Sequence, residues 1–529
     1  MQCLNRPAPV THPQSQCLKW PDHNAAHRGL NALLLVLLSG IIGLCCLHVR
    51  SAGAQETDRI LLIGGNYRIR GIFHNMQDGY FGAPPIGDAN DNQRFIDTRL
   101  RLSFDLRPHP LIRLNYQMEI GDITFGAKNP PIVDDDGVRL PNVGDSGPGA
   151  DGVNLETKNA YIDLQIPWVS GLSFRGGILG WGDQFDWTIL STDFTGLQLT
   201  YQRHALWSQL TYLKFAEGSL RDTDDSDWFA LDARYAFSPQ TTLTGSVYFW
   251  NDDANDNPQT GDDAYQVYAG LKFNTVLFGK AQVEVSGVFN AGQDFLGQAQ
   301  NEGPDGLVRG GLTGSRNQGF MANVHVDYPI GKHWLGLTLQ YISGESGCRG
   351  GAESACPTPI DGSGNNIDAF VGLFNQQYSG FGSSRFADGG GLELITLGQL
   401  NGSTAGLNNV SVSPFFGGGY NGRLLGVLRT KFRASPVLFV YAAAGLDMAA
   451  EENVNGDRFR GIEVNAYLHW DIMPKLWLRS GAAYMFTGSW WENNPDVSLQ
   501  GFPDPLGLES EGSVDGIFQF MLRLQYDFG

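Results

Sequence analysis

Fixed positive charge recurs at every second residue in several stretches of this sequence: Arg68 and Arg70, Arg99 and Arg101, and the row Arg429, Lys431 and Arg433. A period of two is that of a β-strand, whose alternate side chains share one face. Taking the apolar parity of each stretch as one face puts Arg113, Arg175, Arg234, Lys272, Arg479 and Arg523 on polar faces as well. Asp97, Asp105, Glu119, Asp232, Glu284, His325, Asp327 and Glu463 share such faces. Bases outnumber acids there, although the chain as a whole carries a formal charge of −19. Guanidinium and ammonium groups lining a narrow, low-dielectric passage concentrate anions and repel cations. The competing reading is structural: Arg–Asp pairs on neighbouring strands brace a wall, which fits Asp97, Asp232 and Asp327. No acid shares the face of Arg429, Lys431 and Arg433 on their own strand, so a brace there must come from a neighbour.

Other chemistry is poorly supplied. His74, His109, His204, His325, His333 and His469 form no recognisable nucleophile–base pattern, so the chain reads as a non-enzyme. The acidic balance excludes nucleic acid, which needs a clustered basic face. Acid concentrates in short runs that include Asp88, Asp91, Asp252, Asp253 and Asp256. These are solvated loop tips or weak Ca²⁺ ligands, and none completes a twelve-residue calcium loop. No cofactor is expected beyond such structural Ca²⁺. Cys348 and Cys356 close a short Gly-rich segment and are read as a disulfide of an oxidising compartment, with a reduced pair as the alternative.

The elements that position these residues are strands. From Phe518 to Phe528, apolar and aromatic residues alternate with Gln519, Arg523, Gln525 and Asp527, and only Met521 breaks the rule. The same alternation returns about eighteen times between residues 60 and 528, with no helical stretch to cover a greasy face. Every second link is short and rich in turn residues, as at Arg203-His-Ala205, Ser238-Pro239, Ser435-Pro436 and Met473-Pro474, while the links between are mostly long and acidic. That sorting predicts an all-β, transmembrane, antiparallel up-and-down β-barrel with short periplasmic turns and long extracellular loops. Trp168, Trp207, Trp228, Trp250, Trp334, Trp470 and Trp477 fall near strand ends and are read as headgroup-level rings.

The first 54 residues read as a leader: His27 and Arg28 precede an apolar run from Leu30 to Leu47, then Ala52-Gly-Ala54 offers a peptidase site. A retained membrane helix is the alternative. Residues 55–529 then form one barrel unit. The longest link, 345–418, holds Phe370, Phe374, Phe381, Phe386 and the run Leu392 to Leu400, and is read as a lid, a constriction or an added pair of strands.

With these residues in view a resemblance emerges. Tyr67-Arg-Ile-Arg70, the stretch Arg94 to Arg101, Asn159-Ala-Tyr-Ile-Asp163, Gln340-Tyr-Ile-Ser-Gly344 and the even strand number resemble the alginate-export family of outer-membrane porins. The resemblance implies a monomeric bacterial outer-membrane channel with an electropositive lumen for an anionic polysaccharide, its path lined by the inward Arg and Lys residues. Three readings remain open at this point: an anion or polysaccharide channel, a general diffusion porin for small neutral solutes, and a non-conducting structural or adhesive barrel. Expected partners are outer-membrane lipid and an anionic solute, with the barrel a monomer or a porin-like oligomer.

Overall fold

The computed structural model describes residues 60–74, 93–125, 155–216, 225–252, 264–294, 315–344, 366–367, 370, 392, 422–452, 456–489 and 516–529. The described strands are β1 (Ile60–His74), β2 (Gln93–His109), β3 (Ile112–Thr124), β4 (Leu155–Gln165), β5 (Leu172–Gly182), β6 (Ser191–Arg203), β7 (Leu206–Ala216), β8 (Ser226–Ser238), β9 (Thr241–Asp252), β10 (Ala264–Leu277), β11 (Ala281–Asp294), β12 (Ser315–Ile330), β13 (His333–Ile342), β14 (Asn366–Ile367), β15 (Arg423–Ser435), β16 (Leu438–Met448), β17 (Phe459–Met473), β18 (Leu476–Thr487) and β19 (Ile517–Phe528). Eighteen of them make the barrel. Each pairs antiparallel with its neighbour in sequence, β13 pairs directly with β15, and β1 closes the ring on β19 from Gly65↔Phe528 to His74↔Gln519. The two-residue β14 lies parallel to β12 and outside the ring. Among the described strands it is the one that alternation does not announce.

The alternation works as the sequence pattern requires. On β15, Leu424, Leu428 and Phe432 are exposed on the outer face while Arg423, Val427 and Arg429 are buried on the inner one. On β19, Phe520, Leu522, Leu524 and Tyr526 face out, and Gln519, Met521 and Gln525 face in. Exposed apolar rings and buried guanidiniums invert the order of a water-soluble protein. A bilayer around a polar bore demands that inversion, and ring closure leaves no unpaired edge in the lipid.

The links sort by rim. On one rim β6–β7, β8–β9, β15–β16 and β17–β18 are each joined by two residues, with His204 and Lys475 in left-handed conformation (φ 52° and 69°). The other rim carries the segments between β1 and β2, β3 and β4, β13 and β15, and β18 and β19. The leader, Cys348, Cys356, Asp88, Asp91, Asp253 and Asp256 lie outside the described residues. Asp252 ends β9 as a buried residue.

The tryptophan reading needs correction. Trp168 and Trp470 are exposed on the outside, but Trp228 and Trp250 are buried in a cluster on the inner face. Trp207, Trp334 and Trp477 also share the inner parity, each beneath an arginine. A position near a strand end sets the height of a ring, whereas parity decides whether it meets lipid or lumen.

Candidate functional site

All thirteen basic residues of the polar parity occupy the inner face, and their surroundings make two overlapping groups: Lys272, held by Asp186 and Glu284, belongs to the first and Arg70 to both. The first group is braced. Arg70 Nε donates to Asp97 at 2.9 Å, Arg113 Nε to Asp105 at 2.7 Å and Arg175 Nε to Asp163 at 2.6 Å, while Arg101 pairs with Glu119. Arg429 donates to Asp327 at 2.8 Å, so the acid missing from its own strand comes from β12. Arg234 stacks on Trp207 at 5.2 Å; Asp232, its neighbour on the strand, instead accepts from the hydroxyls of Ser246 and Tyr248.

The second group faces its own kind. Across β18, β19 and β1, Arg479 lies opposite Arg523, and Arg523 opposite Arg70; one row away, Arg68 lies opposite Arg99, which is also 3.8 Å from Glu119. Directly opposed like charges on one face of a sheet are destabilising. Part of the cost is met by aromatic faces, with both Arg479 and Arg523 4.9 Å from the Trp477 ring. Lys431 and Arg433 extend the belt on β15, over Phe439 at 4.9 and 5.4 Å. His469 accepts from Arg479 Nε at 3.2 Å through Nδ1, so its proton sits on Nε2, 3.0 Å from Asp471.

Alternation does not reveal a further feature: the eight-residue link 183–190 folds into the bore against β9, β10 and β12. Asp183 knots it, accepting N–H bonds from Phe185 (2.6 Å), Ile189 (2.8 Å) and Leu190 (3.0 Å). Burial pushes the Asp183 carboxyl up to about 6, against the pull of those three donors. Asp186 and Trp187 adopt left-handed backbone (φ 61° and 60°), a strained conformation that brings Asp186 to the tip. The tip reaches β12, six strands along the wall from β6: Asp186 Oδ2 lies 2.8 Å from His325 Nε2 and 3.3 Å from Asn323 Nδ2. Lys272 Nζ donates to Gln184 O at 2.9 Å, the Gln184 N–H donates to Tyr248 Oη at 3.1 Å, and Phe185 packs where a Cβ on Gly270 would come within 2.5 Å of its Cζ.

Around this loop the lumen is packed. Trp181, Phe185, Ile189, Trp228, Tyr248 and Tyr268 are buried together, joined by Phe370 from the longest link, 6.1 Å from the Tyr268 ring. Leu392 of the same link is buried over Gly445. The signal was present in the sequence: among polar, acidic links, Phe185, Trp187, Ile189 and Leu190 make this one apolar. An apolar link on a barrel rim has the lumen wall as its place to pack.

No family model and no curated protein matches the sequence. Solved structures do. OccAB1 of Acinetobacter baumannii aligns over 90% of this chain and 99% of its own at 11% identity, with a TM-score of 0.50. OpdK of Pseudomonas aeruginosa, solved with vanillate, covers 88% and 98% at 14% identity and a TM-score of 0.47. OccK8 (OprE) of Pseudomonas aeruginosa covers 88% and 98% at 13% and 0.47. At such identities the likeness is one of fold. The chain is a closed eighteen-stranded barrel with the fold of bacterial outer-membrane porins.

Proposed function

We propose that the barrel is an anion-selective channel for small organic carboxylates, drawn along the belt formed by Arg68, Arg99, Arg479, Arg523, Lys431 and Arg433. The observation that carries this reading is the directly opposed pair Arg479–Arg523 in one register row, which ends on the braced pair Arg70–Asp97. A wall braced only for stability would set an acid opposite Arg479 or Arg523, as Asp97 stands opposite Arg70, because opposed guanidiniums cost free energy that oppositely charged pairs recover. A transient carboxylate relieves that repulsion with charge-assisted bonds.

Size favours a small solute over the polysaccharide implied by the alginate-export resemblance. Loop 183–190, Phe370 and Leu392 occupy bore that a folded-back polymer strand would need. The aromatic faces of Phe439, Tyr441, Tyr467 and Trp477 among the bases suit an anion with a flat apolar part, and OpdK was solved with such a compound. Proteoliposome flux decides between the readings. Benzoate should enter faster than a neutral sugar of equal size, and an oligouronate should block. Equal flux of benzoate and neutral sugar would mark a general diffusion porin, and oligouronate passage without block would restore the polysaccharide reading.

A further inference from the structure

The wall beneath the loop tip carries a cluster that anion passage does not use. Asp186, Glu284 and His325 are buried, and one ligand atom from each lies within 4.8 Å of the others. His325 Nδ1 is 2.9 Å from the Thr338 hydroxyl, which fixes the ring with Nε2 turned to Asp186. Metal-binding histidines are oriented by such an outer partner. Beside the three stand Ser286, Asn323 and Gln340, opposite one another across β11, β12 and β13. All three are buried, and Ser286 Oγ, Asn323 Oδ1 and Gln340 Oε1 have no hydrogen-bond partner among the described residues. Three buried acceptor oxygens in one row call for a donor or a cation.

We propose that Asp186, Glu284 and His325 form a site for a borderline divalent cation, and that the ion ties loop 183–190 to the β11–β12 wall. One imidazole nitrogen with two carboxylate oxygens is a donor set for Zn²⁺ and its first-row neighbours, whereas Ca²⁺ and Mg²⁺ favour oxygen alone. Lys272 is the built-in competitor. Its Nζ lies 2.9 Å from Glu284 Oε1 and 3.4 Å from Asp186 Oδ1, so the ammonium holds the same two carboxylates when no ion is present. On binding, Lys272 keeps the Gln184 carbonyl as its acceptor.

The test uses the full-length folded barrel, stripped of metal and titrated with Zn²⁺, with folding of each variant verified by its heat-dependent gel shift. We expect one tight Zn²⁺ per chain, at least tenfold weaker binding in His325→Gln and Glu284→Gln, and at least tenfold tighter binding in Lys272→Met. Wild-type protein should prefer Zn²⁺ over Ca²⁺ by at least a hundredfold, a measurement that needs no variant to fold. Zn²⁺ should also quiet single-channel current noise in wild type and not in His325→Gln. Equal binding by wild type, His325→Gln and Glu284→Gln would mark adventitious zinc on acidic loops and overturn the site. So would Lys272→Met binding no tighter than wild type, or Ca²⁺ binding as well as Zn²⁺. None of these outcomes bears on anion selectivity, which is read separately from reversal potentials.

Discussion

Arg479 on β18 and Arg523 on β19 lie directly opposite one another, and each guanidinium carbon is 4.9 Å from the ring of the same residue, Trp477. Two like charges sharing one indole is an arrangement that folding alone does not favour. Arg523→Gln should therefore leave the barrel as stable as wild type or more so, by up to about 1 kcal/mol, while lowering the anion-to-cation permeability ratio severalfold. Urea unfolding and bilayer recording on the same preparation check both halves. Lost stability with unchanged selectivity would mean that Arg523 is a structural residue.

Arg429, Lys431 and Arg433 alternate on one strand yet have different surroundings. Arg429 is buried against Asp327. Arg429→Gln leaves that carboxylate without its partner and should cost about 3 kcal/mol, with a small effect on selectivity. Lys431→Gln with Arg433→Gln should do the reverse, since their charges rest on ring faces. Equal selectivity loss in the two cases would refute the division between bracing and belt.

The loop in the bore supplies a size prediction. Phe185 is fully buried, and truncation to Ala should cost about 3–5 kcal/mol of local packing. Freed from the wall, the loop should let single-channel conductance rise and become noisy. Unchanged conductance would show that link 183–190 does not limit the passage.

Acidity acts on the same loop through Asp183. Its carboxyl is raised to about 6 by burial, so folding favours the protonated acid. A raised folded value stabilises the loop below the unfolded value, and that contribution is lost as pH rises through about 6. Asp186 moves the other way: burial would raise its carboxyl, but Lys272 and His325 outweigh it and hold it low, so it stays ionised over the same range. Current noise should be lower at pH 5 than at pH 7.5, and Asp183→Asn should flatten the difference. Noise that grows on acidification would contradict the assignment.

Much of this architecture was legible in the sequence because a barrel wall obeys a local rule. Alternation from Phe518 to Phe528 needs no distant partner to be read, and it sorted Arg429, Lys431, Arg433, Arg479 and Arg523 to the inner face correctly. Contacts made across the bore follow no local rule. Nothing within 183–190 says that Asp186 meets His325, 139 residues away, and nothing on β15 names Asp327 as the partner of Arg429. The tryptophans failed for a related reason: Trp228 and Trp250 were placed by height along the strand, while parity put them in the lumen cluster.

Anion selection by the fixed charge of the bore is open to one direct measurement. Reversal potentials across a planar bilayer under a tenfold KCl gradient test it directly. Wild type should show clear chloride preference, falling toward unity when Arg433, Arg479 and Arg523 are replaced together by Gln in a barrel that still folds. Potassium preference in the wild type, or chloride preference that survives the triple replacement, would contradict it.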